Sequence, residues 1–151
     1  MKKNLVIIQN KLQEIESLAM DLGINDIFRN KKFIEVLAAD MLGHRPNVEP
    51  QGPDAYEMIS GVEYPTEYKS AGVGGTFQFH WLSNNKMDKI KICKNVYFIV
   101  RSGVSILEIY GVPTNKIVSL IEEKASGSKS PKGCKAFSLK NLIDLGAKKL
   151  K

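Results

Sequence analysis

The order of hydrophobic patterns along this chain predicts one α/β (α+β) domain, built on a central mixed β-sheet flanked by helices. Two stretches of helical period open the sequence, short strand-like runs fill its middle, and helical periods return towards its end. No internal repeat or linker divides residues 1–151, so they form a single domain. A chain of 151 residues is long enough to bury roughly two-thirds of the surface that its unfolded form exposes.

Leu5, Ile8, Leu12, Ile15, Ala19 and Leu22 recur at alternating steps of three and four, and Gly23 follows as a stop, which defines the first helix. Its apolar seam is narrow, suited to a single partner that is either the chain's own core or a helix of a second subunit. Asn30 is placed to cap a second helix reaching about Leu42, with Phe33, Ile34, Leu37 and Met41 on one face and Gly43 just beyond. Pro46, Pro50, Gln51-Gly52 and Pro53 then predict a loop. Ala55 to Ser60 and Glu63 to Ser70 read as two strands joined around Gly61.

The connector Ala71-Gly72-Val73-Gly74-Gly75 leads into Thr76-Phe77-Gln78-Phe79-His80-Trp81, whose alternation turns Phe77, Phe79 and Trp81 towards the core. Ser83 caps a short helix carrying Lys86, Lys89 and Lys91. The strand Val96 to Arg101 turns at Ser102-Gly103 and returns over Val104 to Tyr110. Thr114 caps a helix through Ile117, Leu120 and Ile121, residues 125–133 form a loop, and Ser138 to Leu145 form a last short helix.

Hydrophobic residues at 43% and charged residues at 25% are the proportions of an ordinary globular protein, not of a disordered or fibrous one. Lys and Arg number 22 against 16 Asp and Glu, and the resulting charge of +6 favours an anionic partner such as nucleic acid. The apolar run Leu5 to Ile8 is too short for the core of a signal peptide, and no stretch approaches a membrane span. Cys93 and Cys134 therefore read as free thiols in a reducing cytoplasm. With His44 and His80 they lack the spacing of a zinc site.

The chemistry concentrates at Asp54, Glu67 and Lys69. Asp54 begins one predicted strand, and Glu67 and Lys69, separated by Tyr68, share a face of the next. Phosphodiester hydrolysis needs charge neutralisation and an activated water, a task for which two carboxylates holding Mg2+ are suited. Lys69 beside the metal can orient the water or stabilise developing negative charge. A Glu-x-Lys triplet alone also fits a solvated strand face with an ordinary ion pair. Pro53 before Asp54, and a chain short enough for a hairpin between Asp54 and Glu67, strengthen the catalytic reading.

Gly23-Ile24-Asn25-Asp26-Ile27-Phe28, Asp54-Ala55, Glu67-Tyr68-Lys69-Ser70 and Pro131-Lys132 together resemble the PvuII-like type II restriction endonucleases of the PD-(D/E)xK superfamily. The likeness extends over most of the chain, with Ile109-Tyr110 and the helix after Pro113 in the same order. It implies a restriction-endonuclease-like fold and a Mg2+-dependent, sequence-specific cut of double-stranded DNA within a short palindrome. It further implies metal ligation by Asp54, Glu67 and the Tyr68 backbone carbonyl, a catalytic role for Lys69, and a homodimer assembled through residues 1–42. Two-fold symmetry of the protein would mirror the palindrome.

DNA reading is expected from Thr76, Gln78 and His80, which share the face opposite the aromatic residues. The family carries a histidine cluster here, whereas this chain keeps only His80, so a different target sequence follows. Asn30 stands near the family's DNA-contacting aspartate, although it also fits a helix cap. Ser128, Ser130 and Lys132 lie in a loop matching a DNA-contacting segment that carries asparagines in the family. Lys89, with Lys86, Lys91 and Lys94, is placed to follow the phosphate backbone, or forms a merely solvated face. The competing functions are a nicking or repair nuclease, a subunit of a hetero-oligomeric nuclease, and a DNA-binding protein that does not cut.

Overall fold

The computed structural model describes residues 2–49, 51–80, 82–126 and 133–151. Helix α1 (Lys2–Asp21) carries the predicted seam and ends before Gly23, whose φ of +75° favours a residue without a side chain. A 3-10 turn (Arg29–Lys31) leads into α2 (Lys32–Leu42). Asn30 is not the cap expected of it. It lies inside the turn, and Lys31, left-handed, occupies the cap position without a side-chain hydrogen bond to the helix start. The backbone bond from Phe33 N–H to Ile27 O, 3.0 Å, ties the helix start back to the preceding loop instead. Gly43 closes α2 as predicted, in a left-handed conformation with His44 N–H bonded to Ala39 O.

Strand β1 (Arg45–Pro46) precedes the predicted hairpin of β2 (Ala55–Ile59) and β3 (Val62–Gly72), which turns through Ser60 and Gly61 with both φ angles positive. β4 (Thr76–Phe79), α3 (Asn84–Lys91), β5 (Asn95–Ser102) and β6 (Ser105–Pro113) follow, then α4 (Thr114–Ser126), β7 (Lys135–Ser138), α5 (Leu139–Asp144) and β8 (Lys148–Lys149). The main sheet has six strands in the order β1-β2-β3-β5-β6-β8. β3 and β5 run parallel and the other neighbours antiparallel, so the sheet is mixed, as expected. β3 outruns its predicted end because its pairing with β5 continues to Gly72 opposite Arg101.

β4 and β7 form a separate two-stranded sheet. The predicted cap at Ser83 forms, accepting from Lys86 N–H, and Ser138, expected inside the last helix, instead caps it in a reciprocal capping box with Asn141. Thr114 does not cap α4. It is the first residue of that helix, and its hydroxyl is buried without a partner among the described residues. Trp81 lies outside the described residues.

β5 explains why the sheet is covered on both sides. Its Val96, Phe98 and Val100 join Phe77, Phe79, Phe137, Ile117 and Leu142 in one core, while Tyr97 and Ile99 pack with Ile34, Ala38, Ala39 and Tyr68 beneath α2. Alternation along one strand thus feeds two cores. No helix among the described residues is long and apolar enough to cross a membrane.

Glu57, 4% exposed, is the charged group most deeply set beside the second core. Tyr97 donates to its carboxylate at 2.6 Å and Asn95 Nδ2 lies 3.2 Å from each of its oxygens. Tyr97→Phe removes the shortest of these bonds from a buried acceptor and lowers unfolding free energy by about 1–3 kcal/mol. Urea denaturation measures it; an unchanged midpoint would mean that Asn95 suffices.

Candidate active site

The site arises where β2 stops covering β3. Their pairing runs from Ile59 opposite Val62 to Ala55 opposite Thr66, and among the described residues no strand pairs with the following residues of β3 on that side. Asp54, one residue before β2, occupies the junction. Its N–H donates to Thr66 O at 3.1 Å, and its Oδ2 accepts the Tyr68 N–H at 2.7 Å. The carboxylate thereby takes the place that a strand carbonyl would otherwise fill.

Strand alternation does the rest. Tyr68 is buried towards α2, with its hydroxyl 2.8 Å from His44 Nδ1, while Glu67 and Lys69 project from the opposite face. Lys69 Nζ pairs with the Glu67 carboxylate, lies 3.3 Å from the Tyr68 carbonyl oxygen and stands 5.3 Å from the Phe79 ring centre. Asp54, Glu67 and Lys69 line one cavity of about 350 Å³, shared with Gln78, His80 and Lys89. The three residues expected to form the catalytic cluster are therefore brought together.

The electrostatics follow from two carboxylates in a recess. Desolvation, reinforced by the negative charges of Glu67 and Glu35, pushes the Asp54 carboxyl up to about 8, against the pull of Lys69 and the Tyr68 N–H. Burial works against the Lys69 charge, but Glu67 and Asp54 outweigh it and raise its pKa. Glu35, half-buried on α2, is raised by desolvation and by Glu67 despite the neighbouring lysines.

Glu35 is the participant that sequence reasoning missed. Its only signal was a polar residue beside the apolar face of α2. Among the described residues no three His, Cys, Asp or Glu side chains converge as a metal-binding group. The oxygens gathered around Lys69 Nζ are those of Glu67 and the Tyr68 carbonyl, with the Asp54 carboxylate on the Tyr68 N–H. A few hard oxygen donors, two of them carboxylates, suit a small divalent cation that keeps part of its water shell.

Thr76, Gln78 and His80 are exposed on one face of β4 and its end, opposite buried Phe77 and Phe79. His80 Nδ1 lies 3.1 Å from Cys134 Sγ, and its carbonyl accepts from Lys86 Nζ at 2.9 Å. Lys86 and Lys89 reach the cavity of the cluster, whereas Lys91 pairs with Glu122 at 3.4 Å and Lys94 lies over the Tyr64 ring. The backbone of Asn30 sits in the turn before α2. Ser128, Ser130 and Lys132 lie outside the described residues. Compared with known proteins, the chain matches no family model and no curated protein.

The raised Asp54 carboxyl makes stability depend on pH with a definite sign. A group that binds its proton more tightly when folded contributes fully below the unfolded carboxylate range, near about 4, and that contribution is lost as pH rises through 8. Asp54→Asn keeps an acceptor for Tyr68 N–H and buries no charge. In EDTA at pH 8 or above the variant should therefore melt above wild type, by about 2–4 °C per kcal/mol regained. Thermal melts between pH 5 and pH 9 test this, and a wild type that melts higher throughout would contradict it.

Proposed function

We propose that the protein is a Mg2+-dependent, sequence-specific endonuclease for double-stranded DNA, with a restriction-endonuclease-like fold of the PD-(D/E)xK kind. It resembles the PvuII-like type II restriction enzymes and acts as a homodimer within a short palindrome. The observation that carries this reading is the convergence of Asp54, Glu67 and Lys69 in one cavity beside the unpaired edge of β3. Around it stand exposed Gln78 and His80, with hydrogen-bonding groups for base edges, and Lys86 and Lys89 for phosphates.

Asp54, Glu67 and the Tyr68 carbonyl would hold the metal, which supplies charge neutralisation at the phosphate and a more acidic water. Asp54 gives up its proton on binding, so metal affinity rises with pH. Lys69, kept protonated by its two carboxylate neighbours, donates to the attacking water or to the non-bridging oxygens as negative charge builds. The Tyr68 N–H fixes the orientation of Asp54. Phe79 closes the wall of the cavity behind Lys69 and limits access of bulk water.

The homodimer is supported by α1. Leu5 is 59% exposed and Ile8 54%, and Leu12 and Ile15 are also exposed, whereas Ala19 is buried with Ile24 and Ile27. Among the described side chains of α1 only Ala19, near its end, is buried against its own chain, so its seam offers an apolar stripe to a second copy. Leu12→Glu places a charge in that seam and should turn a dimer into a monomer in sedimentation analysis; a monomeric wild type would contradict the assembly.

A second reading has one observation in its favour. The Lys69–Glu67 ion pair is complete within the protein, as a structural pair in a DNA-binding protein that does not cut would be. Glu67→Ala and Lys69→Ala separate the two. On the endonuclease reading each lowers the cleavage rate by at least about 10²–10³-fold while DNA binding survives. Cutting at the wild-type rate by either variant would overturn it.

A further inference from the structure

The recess continues beyond the catalytic cluster. A second hollow, about 500 Å³, runs beside β3 from Lys69 past Ser70 and Gly72 to Arg101, with Lys31 on one wall and Thr76 and Gln78 on another. Arg101 sits opposite Gly72 in the β3–β5 pairing, so no side chain on that neighbour covers it. The β5–β6 register shifts between Val100 and Arg101, an irregularity of the kind that re-aims a strand side chain.

The guanidinium is only partly engaged. Nη1 donates to Gly103 O at 2.9 Å, while Nε is shut off from solvent and has no acceptor among the described residues. No ion pair to Arg101 occurs among them either. Glu35 is the carboxylate in the lining, and it already faces the charges of Lys32, Lys69 and Lys31. A guanidinium presents its donors in a fixed fork that matches phosphate oxygens, and no hydrogen bond from Arg101 Nη2 occurs among the described residues. Lys31 Nζ, 3.5 Å from Ser70 O, adds a second positive charge over the same hollow.

We infer that Arg101, assisted by Lys31, is a phosphate-binding clamp for the DNA strand being cut, lying beyond the cluster from α3. Three residue steps along β3 separate Lys69 from Gly72, about 10 Å. At about 3.4 Å of helix axis per nucleotide, the clamped phosphate lies two to three nucleotides from the scissile one. The clamp positions the strand and carries no base information. This inference rests on the endonuclease reading.

The test compares wild type with Arg101→Gln in magnesium-free binding to duplex oligonucleotides, across salt concentrations and with single methylphosphonates scanned along the strand. The variant should flatten the slope of log affinity against log salt by about one for each clamp lost. Neutralising the clamped phosphate should weaken wild type about tenfold and leave the variant unaffected. Equal slopes and the same methylphosphonate pattern in both proteins would overturn the clamp alone. A wild type without salt-dependent duplex binding would overturn the endonuclease reading, and the clamp with it. Should Arg101→Gln fail to fold, Lys31→Gln replaces it with the same expectations and the same overturning result.

Discussion

The hydrogen bond from Tyr68 N–H to the Asp54 carboxylate, 2.7 Å, joins the fold to the site. It lies where β2 ends and β3 goes on, so a side chain completes the ladder that the backbone leaves open. Two consequences follow. The rest of β3 keeps an accessible edge, and Asp54 is drawn into a recess beside Glu67, where its charge is costly without a cation. The parallel pairing with β5 carries that extension of β3 to Gly72, and two cores grip β5 from either side.

Much of this was legible in the sequence because strand alternation is a strong local rule. Glu67 and Lys69 had to share a face, Phe77 and Phe79 had to point inwards, and Gly43 and Gly61 marked real turns. The misreadings have non-local causes. Asn30 looked like a cap by residue type, but the bond from Phe33 to Ile27 starts α2 from a left-handed Lys31. Thr114 had the right chemistry for a cap and instead begins its helix buried. β7 owes its existence to β4 across the sheet, and β1 and β8 are two-residue strands defined by their partners.

The site was legible in its proposed catalytic trio and opaque in its surroundings for the same reason. Asp54, Glu67 and Lys69 lie on one hairpin, so their spacing carries their geometry. Glu35 comes from a helix earlier in the chain, and Arg101 from a later strand, and only the assembled sheet brings either towards Lys69. Their charges add to a recess lined by both acidic and basic side chains.

The central question is whether this recess hydrolyses DNA at a defined sequence. Sequencing the termini of fragments released from a diverse DNA library by the purified protein with Mg2+ measures this directly. The expected termini share one short palindromic site and are produced only when the metal is present. Intact DNA, or termini scattered without a common sequence, would contradict it.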